Sequence, residues 1–244
     1  MKKILAYILS VIYYLVFGII LVVFHPVQWV CLNIFGYQSH KKSVDYLNFC
    51  LLNSLRILGT KITFDNSYEF NRNQPYIIVS NHQSLYDISP IVWYLRRLHP
   101  KFISKKELGK GIPSVSYNLR HGGSILIDRK NPKQSLPAIK SFSEYINKTN
   151  RSAVIFPEGT RSKTGAPKSF SPNGLKMLFK YCPDAIVIPI TINNSYKIVK
   201  YGMFPLNLGI NLHLKVQKPL LVKDYQNDEL LEKLEQAIIK DIKY

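Results

Sequence analysis

Residues 4–24 (ILAYILSVIYYLVFGIILVVF) carry no charged side chain. As a helix rising about 1.5 Å per residue they would cover the roughly 30 Å hydrocarbon core of a bilayer. No other feature narrows the fold so much, because a run this long and apolar is a helix placed at a membrane. It exceeds the roughly 7 to 15 residues of a signal-peptide core, and no A-x-A-like cleavage site follows it. Past Pro26, residues 27–37 (VQWVCLNIFGY) are apolar but too short to cross, and their Trp and Tyr suit the headgroup level. A full span and a half-inserted helical hairpin both fit. The hairpin is favoured, because it leaves Lys2, Lys3 and the basic remainder of the chain on the cytoplasmic side. The expected division is a membrane-inserting helical region, 1–58, and a catalytic-sized domain, 59–244, at the cell membrane.

Charge narrows the partners. Thirty-three Lys and Arg against 15 Asp and Glu give +18, which suits a polyanion: an anionic membrane surface, nucleic acid, or phosphorylated and CoA-like substrates. Cys31, Cys50 and Cys182 are odd in number, widely spaced and without a C-x-x-C pair, so neither a disulfide framework nor a zinc site is indicated.

Short β-rich runs recur at 61–64, 76–80, 102–104, 124–128, 153–156, 185–190 and 211–216. Helical stretches are expected from the turn after residue 82 to 98, over 133–148 and over 173–181, with an amphipathic helix over 228–243. This alternation reads as α/β, a mixed, largely parallel sheet flanked by helices. Residues 164–173, rich in Ser, Pro, Gly and Lys, read as a loop.

Chemistry concentrates where strands end. The tract Asn81, His82, Gln83, Ser84, Leu85, Tyr86, Asp87 joins a strand to a helix. Ser84 and Asp87 stand in the S-x-x-D relation of a capping box. An ionised Asp87 could also accept a hydrogen bond from one nitrogen of His82, leaving the other as a proton acceptor. Five residues of continuous helix turn about 500°, so only the turn before Ser84 can bring the two together. A capped helix end and a catalytic dyad both fit this tract. After the apolar run 153–156 comes Pro157, Glu158, Gly159, Thr160, Arg161, Ser162, whose Arg fork, hydroxyls and backbone N–H groups suit an anion. The alternative there is a solvated loop with a Glu158–Arg161 ion pair. SILIDRK at 124–130 places Arg129 at a third strand end, and FISKKEL at 102–108 adds Lys105 and Lys106. Residues 94–133 hold ten Lys and Arg against Glu107 and Asp128, consistent with a basic pocket.

NHQSLYD, KKEL at 105–108, ILIDR at 125–129, FPEGTRS at 156–162 and VIPI at 187–190 together resemble, in order and spacing, the PlsC-like glycerolipid acyltransferases, with the nearest likeness to 1-acylglycerol-3-phosphate acyltransferases. The likeness covers about residues 60–220. It implies that His82, oriented by Asp87, is general base on a glycerol hydroxyl that attacks the thioester of acyl-CoA or acyl-carrier protein without an acyl-enzyme. It also implies that Lys105, Arg129 and Arg161 gather round the acceptor phosphate, with Glu158 and Gly159 shaping that site. Thr160 joins this substrate-binding set. The expected partners are a lysophospholipid acceptor, an acyl thioester donor and an anionic membrane surface, with no nucleic acid, no metal and no prosthetic group. The expected product is phosphatidic acid, a step of phospholipid biosynthesis. Two departures bear on acceptor choice. Pro113 is followed by Ser114 and Val115, where the family often has an aromatic-Gly turn, and Ser171, Pro172, Asn173, Gly174 replace the common Lys-Gly after FPEGTRS.

General-base catalysis contributes typically about 10²- to 10⁴-fold, so positioning and oxyanion stabilisation must supply the rest. Rival readings are acylation of another lysolipid, such as a lyso-ornithine lipid, and a non-catalytic basic protein that binds anionic lipid or nucleic acid. His121, Gly122, Gly123 resembles a lipase oxyanion segment, yet the chain has no G-x-S-x-G. His25, His40, His99 and His213 are given no role.

Overall fold

The computed structural model describes residues 2–244. Helix α1, Lys2–Ser54, is broken at Gly36, which takes φ 78°, ψ −173°. The chain enters and leaves this point as two antiparallel arms, 2–35 and 37–54. Tyr13 and Leu21 on the first arm are buried, and they pack in clusters with Leu55 and with Leu47 and Leu51 respectively. A helical hairpin is present, but its arms are not the two segments read from sequence: residues 4–24 and 27–35 share the first arm, with Pro26 inside it, and the second arm is 37–54. Outward, Ile4, Leu15, Ile19, Val22, Ile34 and Phe35 are each at least 60% exposed. The most apolar window of this helix has a mean hydropathy of 2.6 and is long enough to cross a membrane.

The remainder alternates strand and helix. In chain order come β1 (Lys61–Asp65), β2 (Tyr76–Ser80), α2 (Ile88–Tyr94), β3 (Pro100–Lys105), α3 (Val115–His121), β4 (Ile125–Ile127), α4 (Pro132–Thr149), β5 (Ser152–Ile155), α5 (Pro172–Tyr181), β6 (Ile186–Asn193), α6 (Ser195–Ile198), β7 (Asn211–Val216), β8 (Leu220–Leu221) and α7 (Asn227–Ile239). They build one sheet in the order β1-β7-β6-β2-β5-β3-β4, with β8 beside β6. The block β6-β2-β5-β3-β4 is parallel throughout, and β7 pairs antiparallel to β6. The fold is thus the mixed, largely parallel α/β sheet expected.

Period-two alternation sorts the strand residues into two cores. Ile77 and Val79 of β2 face α4, α5 and α7 through Ile146, Leu178 and Leu234. Tyr76 and Ile78 face the other way, onto Ile91 and Val92 of α2 and Leu119 of α3. Central strand β2 is buried at all five positions, as a strand covered on both faces should be. Three elements escaped the sequence reading, α3, the four-residue α6 and the two-residue β8. The helix expected from residue 82 to 98 is shorter than expected, with Ile88–Tyr94 flanked by 3-10 turns at Leu85–Asp87 and Arg96–Leu98.

Candidate active site

Parallel strands carry their ligand-facing loops at their C-terminal ends, and here five such ends meet. His82 follows β2, Lys105 ends β3, Arg129 follows β4, the 156–162 turn follows β5, and Ser195 follows β6. At the end of β2, Ser84 caps the 3-10 turn in a full capping box with Asp87. The box turns the Asp87 carboxylate back towards His82, so Nδ1 of His82 lies 2.8 Å from Oδ2 of Asp87. The capped helix end and the His–Asp pair are the same structure.

Asp87 is fully buried, and each of its contacts uses it as an acceptor, as the ionised group requires. Oδ2 also accepts from the N–H of Gln83 at 2.7 Å and of Ser84 at 2.9 Å. Oδ1 accepts from Ser195 Oγ and, at 3.4 Å, from Ser84 Oγ. With its Nδ1–H directed to Asp87, His82 leaves Nε2 without a protein partner among the described residues. The imidazole stacks on Phe156, centroids 4.1 Å apart and planes 18° apart, which fixes its plane.

The backbone of His82 is held from the 156–162 turn. Its N–H donates to Oε1 of Glu158 at 3.0 Å, and its carbonyl accepts from the N–H of Ser162 at 2.7 Å. Glu158 Oε2 is buried with no partner, and burial pushes the Glu158 carboxyl up to about 7 against the opposing pull of the His82 N–H. Glu158 therefore braces the histidine instead of pairing with Arg161, and no such ion pair forms among the described residues. Gly159 takes φ 70°, the left-handed conformation that a glycine adopts freely. Its carbonyl accepts from Arg129 Nη1. Lys168 Nζ holds this loop from outside, through Thr160 Oγ1 at 2.8 Å and the Arg161 carbonyl at 2.9 Å.

These residues wall a cleft of about 770 Å³ lined by His82, Lys105, Gly159, Thr160, Arg161 and Arg129. Of the anion-binding candidates, Glu158 stands behind the histidine, Ser162 is buried outside the lining and Lys106 pairs with Asp128 at 2.5 Å; Lys105, Arg129, Gly159, Thr160 and Arg161 are brought together there. Lys163, Lys200 and Met203 also line the cleft, and the sequence reading missed them. It missed as well Asn81, whose amide clasps the backbone of Ile192 at 2.7 and 2.8 Å, and Ser195. An apolar cavity of about 350 Å³ adjoins the cleft, sharing Leu85, Ile88, Phe102, Leu108 and Arg161, and runs to Tyr13, Phe17 and Leu51 of α1. Among the described residues no group of three or more His, Cys, Asp or Glu side chains could hold a metal ion.

A family model described as Acyltransferase matches residues 61–193, more than half of the chain and the whole span from β1 to β6. The chain belongs to this acyltransferase family. Among curated proteins, a 1-acyl-sn-glycerol-3-phosphate acyltransferase of Helicobacter pylori is 40% identical over 135 residues, covering 51% of this chain and 54% of the relative. A protein of the same name from Borreliella burgdorferi is 26% identical over 196 residues, covering 79% and 76%. In several of these matches, that of Helicobacter pylori included, the chain spans about half the length of the curated relative. Among solved structures, the crystal structure of the 1-acyl-sn-glycerophosphate acyltransferase PlsC from Thermotoga maritima superposes with a TM-score of 0.81 at 22% identity, covering 98% of this chain and 95% of that one. The fold of this acyltransferase thus extends over the helical hairpin as well as the sheet.

Proposed function

We propose that the chain transfers a fatty acyl group from acyl-CoA or acyl-carrier protein to the free sn-2 hydroxyl of 1-acylglycerol-3-phosphate, giving phosphatidic acid. The observation that carries this is His82, bonded through Nδ1 to Asp87, with Nε2 left open on a cleft walled by Lys105, Arg129 and Arg161. The names of the curated relatives support the same reaction.

In this reading the cationic wall and the Gly159 to Arg161 turn hold the acceptor phosphate. The acceptor hydroxyl gives its proton to Nε2 as its oxygen attacks the thioester carbonyl. The C–S bond breaks as the new ester forms, and the imidazolium, held by Asp87, returns the proton to the departing sulfur. No acyl-enzyme intervenes. The adjoining apolar cavity suits an alkyl chain. Residues 1–58 act as the membrane-inserting region and 59–244 as the catalytic domain, on the cytoplasmic face of the cell membrane.

The test is thiol release by the purified full chain, with acyl-CoA or acyl-carrier protein as donor and a panel of lysolipids as acceptors. Release that depends on 1-acylglycerol-3-phosphate is expected. Release with lyso-ornithine lipid or another lysophospholipid alone would move the assignment to that acceptor, and no acceptor-dependent release would refute the reading.

A further inference from the structure

Ser195 opens the short helix α6, directly after β6, and is fully buried. Its hydroxyl has one acceptor, Asp87 Oδ1, the carboxylate oxygen that does not face His82. Its backbone N–H donates to the Gln83 side chain at 3.1 Å, so the serine is fixed on both sides by the tract that carries the dyad. Through Nε2, Gln83 also reaches the carbonyl of Gly165 at 3.4 Å. A Cβ on Gly165 would run into the ring of Tyr196. The strand end after β6 and the loop after the phosphate-suited turn thus close together over the buried side of Asp87.

We infer that Ser195 is a positioning residue, which orients the His82–Asp87 pair by holding the far oxygen of the carboxylate. Oδ2 is held by His82 and the N–H groups of Gln83 and Ser84, whereas the only other donor to Oδ1 is Ser84 Oγ at a long 3.4 Å. Ser195 thus supplies the close bond on that oxygen, against a terminal torsion whose energy profile is broad. Donors on both oxygens fix that rotation, and with it the direction of the imidazole Nε2. The inference rests on the dyad reading above, and it adds a third residue that acts without touching either substrate.

The experiment uses the full chain and thiol release. Ser195→Ala is expected to lower kcat by about tenfold or more, the scale of a hydrogen bond to a charged group, while KM for donor and acceptor stays unchanged. Ser195→Thr, which keeps the hydroxyl, should recover most of that loss. In an Asp87→Asn background Ser195→Ala should cost nothing further, because the serine acts through the carboxylate. An unchanged kcat, or the same loss added on top of Asp87→Asn, overturns the inference. Should Ser195→Ala fail to fold, Ser195→Cys keeps the volume with a weak donor and is read by the same criteria. His82→Ala in the same assay separates the two levels. If it keeps wild-type turnover, the dyad reading falls and the role of Ser195 with it. If it is inactive while Ser195→Ala is normal, only the role of Ser195 falls.

Discussion

Glu158 commits one carboxylate oxygen to bracing His82 and leaves the other buried without a partner. A carboxyl whose folded-state pKa lies above its unfolded value contributes stability that is full below the unfolded value and is lost as pH rises through the folded one. For Glu158 that window runs from the ordinary 4.5 to about 7. Glu158→Gln keeps an acceptor for the His82 N–H and removes the charge. Its Tm should match wild type below the window and exceed it above, which thermal melts across pH would read. At the cleft, Arg161→Ala and Arg129→Ala should raise KM for the phosphorylated acceptor with a smaller effect on kcat, measured by steady-state kinetics. His82→Ala should lower turnover by about 10²-fold or more with the fold intact by circular dichroism. The contact between His82 and Asp87 was legible in the sequence because a capping box and an H-x4-D spacing lie within one turn. Ser195 was not, since no local pattern ties a serine after β6 to an aspartate after β2. Only the pairing of those two strands makes them neighbours.

At the scale of elements, the hairpin shows what a sequence conveys and what it hides. The apolar character of residues 4–24 and 27–37 was legible, but the two run as one arm up to Gly36, and the partner arm 37–54 was not read from the sequence. A proline inside a helix costs a hydrogen bond but can be accommodated, whereas positive φ with extended ψ is almost confined to glycine. Gly36 supplies that conformation. A Cβ there would meet nothing within 4 Å, so any cost of substitution comes from the backbone alone. Gly36→Ala should therefore lose about 1 to 3 kcal/mol, whereas Gly18→Ala, also in open space, should be neutral or mildly stabilising. Denaturant midpoints of the two variants would test the contrast. Helix α3 was missed for a related reason. Its lead-in residue Ser114 sits at φ 61°, held there by contacts with α1. Ser114 Oγ donates to the Leu21 carbonyl at 2.5 Å, and its N–H donates to His25 Nδ1 at 3.1 Å. Tertiary hydrogen bonds thus hold a serine in a conformation that its sequence does not advertise.

Across the whole molecule, +18 of formal charge and an exposed apolar helical arm point to a membrane surface for different physical reasons, and salt separates them. Raising ionic strength from about 0.1 to 1 M shrinks the Debye length from about 10 to 3 Å. The full chain should remain on anionic vesicles through that change, because burial of apolar area does not depend on screening. A variant that combines Ile12→Asp, Leu15→Asp and Ile19→Asp, three exposed positions of the first arm, should instead be released, as vesicle flotation would show. Fold class and the run of motifs were legible because strand ends and hydrophobic periods are local signals. The closing of five strand ends around one cleft was not, since it follows from sheet order. The exposed arm of α1 has one more consequence, for counting molecules. On the acyl transfer proposed above, a catalyst held in a leaflet would meet its lipid acceptor in two dimensions, so the concentration it senses would be the mole fraction of lysolipid in that leaflet. Inert lipid added around it would then slow the reaction by surface dilution even while the amount of acceptor in the tube stays constant.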